Sequence, residues 1–70
     1  GNATDKSEGI SLYERTIEKG DVEVDQKIKS LTFDGKFIVM IRRGGKAVIP
    51  RGETKLLEGD VLVINDMEDN

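Results

Sequence analysis

Short apolar runs separated by polar, glycine-rich stretches set the organisation of the chain. Leu12, Glu14 and Thr16 alternate with Tyr13, Arg15 and Ile17, the period of two that a strand imposes because successive side chains leave opposite faces. Gly20 ends this first strand. Val24, Ile28 and Leu31 then recur at i, i+4 and i+7 with Lys27 and Lys29 directed outward, which predicts one short helix from Asp25 to Leu31. Asp21 or Asp25 is placed to cap its start by accepting an orphan N–H. Thr32 to Lys36 reads as a loop, with Asp34-Gly35 supplying the turn chemistry.

KFIVMIRR carries the clearest strand signal, an apolar run from Phe37 to Ile41 followed by Arg42 and Arg43. Gly44-Gly45 accommodates the positive φ angles of a two-residue hairpin, so the chain is expected to return antiparallel through Lys46 to Ile49. Pro50 ends that strand by removing a ladder donor. Arg51-Gly52 opens a loop anchored by Leu56 and Leu57, and Glu58-Gly59-Asp60 turns into the final strand, VLVIN. The expected class is α+β: a small, mostly antiparallel sheet of about four strands with one short helix, in the order β-α-β-β-β.

Strict alternation sends Phe37, Val39 and Ile41 to one face of the sheet and Ile38 and Met40 to the other, and likewise opposes Val61 and Val63 to Leu62 and Ile64. Both faces are therefore apolar, while one short helix covers only one of them. The second face is expected to pack on a symmetry-related copy or a neighbouring domain. The alternative is that a loop and the curl of the sheet complete the cover.

Composition sharpens that expectation. A chain of 70 residues forms one domain at most, and a domain of this size buries only about 60% of the surface its unfolded chain exposes. It has no cysteine for a disulfide and neither cysteine nor histidine for structural zinc, which leaves oligomerisation as the usual remaining support. The absence of cysteine fits a reducing compartment. No segment reaches the roughly 18 apolar residues of a membrane helix. Charged residues make up 36% of the chain with the signs interspersed and a net charge of -3, so nucleic acid is not an expected partner. Residues 1–9 read as a linker or an appended remnant, 10–65 as the folded unit and 66–70 as an acidic tail that frays.

Catalysis finds no support: without His or Cys the commonest bases, nucleophiles and metal ligands are missing, and no catalytic residue, metal site or cofactor is assigned. Asp21, Glu23 and Asp25 have the spacing that opens a calcium loop. Gln26 and Thr32 stand where that loop needs Gly and Glu, and the run reads as solvated acids. Arg42, Arg43, Lys46 and Arg51 cluster around the hairpin and the Pro50 corner, with Ile49 and Pro50 adjacent. Guanidinium forks suit phosphate or carboxylate oxygens, so these six residues are a candidate site for a small anionic ligand. They are equally suited to be edge charges that keep an apolar hairpin from pairing with other chains. Gly52, Gly59 and Asp60 are expected to be structural, with Thr54 and Asp60 accepting bonds from nearby backbone N–H groups.

The ordered set Arg43, Gly45, Ile49, Pro50, Gly52, Thr54, Leu56, Gly59 and Asp60, preceded by a strand and VDQKIKSL, resembles the TrkA C-terminal domain, also called the RCK C-terminal domain, over about Leu12 to Asn65. That family often has Gly where this chain has Asp25. The resemblance implies a cytosolic regulatory domain that dimerises, binds a small ligand and serves a membrane transporter or channel of potassium, other cations or chloride, at the cytoplasmic face of the membrane. The stretch from Ile10 through the arginines is most similar to the versions attached to bacterial CLC proteins. Some members bind cyclic di-AMP between the two copies. Competing expectations are a purely structural assembly module without a ligand and the effector domain of a transcription regulator.

Overall fold

The computed structural model describes residues 11–67; the linker expected over 1–9 and the end of the acidic tail lie outside them. Four strands form one antiparallel sheet: β1 (Leu12–Thr16), β2 (Lys36–Arg43), β3 (Lys46–Val48) and β4 (Val61–Asp66). Their spatial order is β1-β4-β2-β3, so the last strand in sequence lies between the first and second. β2 and β3 form the hairpin, Arg43 opposite Lys46, across Gly44 and Gly45 at φ 58° and 82°. Two consecutive positive φ angles are what the tight turn requires, and glycine supplies them without a steric penalty.

One face of this sheet carries the core. Ile38 and Ile41 of β2 lie beside Ile64 and Leu62 of β4, and Ile17 and Leu56 complete the buried cluster. Val24, Ile28, Leu31, Phe33 and Val48 pack against it. Leu56 alone anchors the long connection, since Leu57 is 37% exposed.

The division of β2 between faces differs from strict alternation. Its register against β4 shifts between Ile38 and Met40, so that Val39 and Met40 together oppose Val63. This bulge adds one residue on β2, which turns Ile41 inward with Ile38 and leaves Phe37 and Val39 on the outer side, 47% and 40% exposed. β4 keeps the expected alternation, with Leu62 and Ile64 buried and Val61 and Val63 half-buried.

The helix expected over Asp25 to Leu31 is absent; a single 3-10 turn, Ile28–Ser30, stands in its place. Val24, Ile28 and Leu31 still face the core, yet the backbone around them is committed elsewhere. Asp25 N–H donates to Leu56 O (2.7 Å), Ile28 N–H to Thr54 O (2.9 Å) and Lys29 N–H to Gly52 O (2.9 Å), while Leu56 N–H returns a bond to Gln26 O (2.9 Å). Residues 25–29 thus pair laterally with 52–56, and donors used in that way cannot close i→i−4 rings. Asp25 itself has φ 67°, a left-handed conformation that no α-helix contains. Neither proposed cap acts at the turn, because Lys27 occupies the cap position without a side-chain bond and Asp21 accepts from Glu18 N–H at 2.8 Å.

Candidate functional site

The candidate site lies at the hairpin end of β2. A strand sends neighbours to opposite faces, and this separates the two arginines that are adjacent in sequence. Arg42 points to the outer face, where its guanidinium reaches across β4 and grips both carboxylate oxygens of Glu14 on β1; the Nη2 to Oε1 bond measures 3.2 Å. The arginine holds Glu14 below the ordinary carboxylate range.

Arg43 turns inward. Its Nε donates to Asp60 Oδ1 at 2.8 Å, its Nη2 to Asp60 Oδ2 at 2.8 Å, and Nη2 also donates to Lys55 O at 3.0 Å. Asp60 is 1% exposed and also accepts from Leu57 N–H at 2.9 Å. The Arg43 guanidinium lowers the Asp60 pKa, against the upward push of burial, and the Leu57 N–H adds to the lowering. A buried carboxylate with a planar fork and a backbone donor is a satisfied charge, so Arg43 closes the turn before β4.

The remaining candidates face solvent. Lys46 and Arg51 are exposed and their side chains have no hydrogen-bond or ion-pair partner among the described residues. Between them Ile49 is 64% exposed beside the half-buried Pro50. Arg51 N–H donates to Thr54 Oγ1 at 2.9 Å, the backbone bond expected of Thr54, which fixes the corner while leaving the guanidinium outside. The six residues therefore divide into an open cationic and apolar corner (Lys46, Ile49, Pro50, Arg51), an outer arginine already paired (Arg42) and an inner arginine committed to the fold (Arg43).

Sequence reasoning missed Glu14 as the partner of Arg42 and Arg43 as the partner of Asp60, which stand 28 and 17 residues apart. Strand parity alone separates the two arginines; the identity of each acid depends on the strand order. The acidic run has its own cation: Arg15 Nη2 lies 3.4 Å from Asp21 Oδ2 and 3.1 Å from Glu23 Oε1. Among the described residues no group of acids is arranged to hold a metal ion, and no helix is long and apolar enough to cross a membrane.

Comparison with known proteins agrees with the fold. The family model described as the TrkA-C domain matches residues 12–65, which is all of the sheet but Asp66, together with the connections between its strands. A solved structure described as an RCK domain with cda is similar at a TM-score of 0.73 and 27% sequence identity, over 84% of this chain and 84% of that one. No curated protein sequence matches.

Proposed function

This chain belongs to the TrkA-C domain family, whose members are generally regulatory domains of ion transport proteins, and from that premise we propose that it is the ligand-sensing, dimerising domain of a membrane transporter or channel. The observation that carries the ligand reading is the open corner at the end of β3. Lys46 and Arg51 present cationic heads with no partner among the described residues, on either side of the exposed Ile49 and of Pro50. Cations beside an apolar surface suit a molecule with phosphates and flat apolar rings. The similar RCK domain was solved with cda, and a cyclic dinucleotide such as cyclic di-AMP is the ligand class we propose here.

In this reading Lys46 and Arg51 take the phosphates and Ile49 with Pro50 supports the base. Arg42 stays paired with Glu14 on the outer face and is left out of this set. Arg43 keeps the corner in shape through Asp60. Dimerisation follows from the outer sheet face, where Leu12, Phe37 and Val39 remain 57%, 47% and 40% exposed. A ligand that fits one arrangement of two copies better than another shifts their populations, and the attached transporter at the cytoplasmic face of the membrane responds to that shift.

Calorimetric titration of the domain with cyclic di-AMP tests the ligand reading. Saturable binding is expected, abolished by Arg51→Ala and weakened by Lys46→Ala, with circular dichroism unchanged in both. Absence of binding, or undiminished affinity in Arg51→Ala, overturns it in favour of an assembly module without a ligand at this corner.

A further inference from the structure

We infer that the outer face of the sheet is the surface through which two copies meet, and that in the dimer Glu14 of each copy exchanges its own Arg42 for Arg42 of the partner subunit. The inference rests on the dimeric reading above and specifies its contact.

The registers define this face. Leu12, Asn65 and Phe37 lie side by side across β1, β4 and β2; Glu14, Val63 and Met40 form the next row, with Val39 added by the bulge; Thr16, Val61 and Arg42 form the third. The opposite parity contains Ile38, Ile41, Leu62 and Ile64, the buried core. Among the described residues the sheet thus has one covered face and one apolar face exposed on both flanking strands.

The charges on that face say what covers it. Across its three rows the only ionised side chains are Glu14 and Arg42, one of each sign. A two-fold interface apposes a patch to itself, so the patch must be its own electrostatic complement. One anion and one cation on different strands satisfy that condition, because a half-turn brings each opposite its counterpart. A face of one sign would repel its copy. The same neutrality is ill suited to an anionic lipid surface, which calls for clustered lysine and arginine. The bulge contributes as well: it brings Val39 out beside Met40, so the middle row sets three apolar side chains, Val63, Met40 and Val39, next to Glu14. Glu14 and Arg42 are exposed in the single copy, so exchanging them sacrifices little.

Sedimentation equilibrium of wild type, Glu14→Lys and Arg42→Glu, each alone and as an equimolar mixture of the two variants, tests the inference. Wild type is expected to dimerise. Each single variant makes the face monopolar and should weaken self-association at least about tenfold, since like charges brought together cost several kcal/mol. The mixture should recover association, because each face then meets the opposite sign. Val39→Glu, which leaves the ion pair intact, should weaken the dimer in the same way and serves if either reversal fails to fold. A monomeric wild type overturns both the dimeric reading and this contact. A dimeric wild type unaffected by all three variants overturns this contact alone, as does weakening that the mixture does not reverse.

Discussion

Arg43 and Asp60 form a planar fork, with Nε to Oδ1 and Nη2 to Oδ2 both at 2.8 Å and the carboxylate 1% exposed. The pair ties the end of β2 to the turn that launches β4, and Lys55 O accepts the third bond. Arg43→Ala leaves a buried anion without its counter-charge, and removing one partner of such a pair costs on the order of 3 kcal/mol. Arg43→Lys retains the charge and loses the fork, so a smaller loss is expected. Urea denaturation at neutral pH orders the three proteins.

The same carboxylate sets the acid limit of the fold. Asp60 titrates below its ordinary range when folded, with the Arg43 hydrogen bond as the largest cause. The folded state then binds fewer protons than the unfolded chain, so this contribution is complete above the unfolded value of about 3.9. It is lost as pH falls through the lower, folded value. Denaturation midpoints measured from pH 6 downward should fall more steeply for wild type than for Asp60→Asn, which starts less stable and has no proton to gain at that position.

The bulge at Val39 predicts opposite behaviour for two neighbours in β2. Ile41, 0% exposed, belongs to the core, and truncation to Ala should cost about 2–5 kcal/mol. Phe37, 47% exposed, lies outside, and Phe37→Ala should cost less than about 1 kcal/mol in dilute protein. Strict alternation would group the two residues, so comparable losses from both substitutions would contradict the shifted register.

Asp25 holds a left-handed conformation at φ 67°. L-residues in that region carry roughly 1–2 kcal/mol of steric cost, most for β-branched side chains and least for Asp and Asn. Asp25→Val is therefore expected to lower the melting temperature by several degrees, whereas Asp25→Gly leaves it unchanged or raises it.

The strands, the Gly44-Gly45 turn, the Pro50 stop and the roles of Thr54 and Asp60 were legible because each is a local property of residue type. The 3-10 turn was not. Val24, Ile28 and Leu31 have helical spacing, but residues 25–29 lie against 52–56, and that lateral pairing is a product of tertiary structure. Asp25 takes a left-handed φ at this point, a conformation that Asp tolerates better than most residues but that its identity alone does not announce. The bulge left no local mark, since Phe37 to Ile41 are all apolar and either parity looks acceptable. The split of Arg42 from Arg43 is a consequence of strand parity that grouping them in one cluster overlooked, while Glu14 and Asp60 became visible as their partners only once β4 was known to lie between β1 and β2.

The central claim is that a second copy completes this sheet, and the melting temperature as a function of protein concentration tests it most directly. Association linked to folding makes the midpoint rise with concentration. Scans from about 1 to 100 μM should show a steady upward shift for wild type and a flatter one for Val39→Glu. A wild-type midpoint that stays constant across that range would mean that a single copy is sufficient, and would contradict the account.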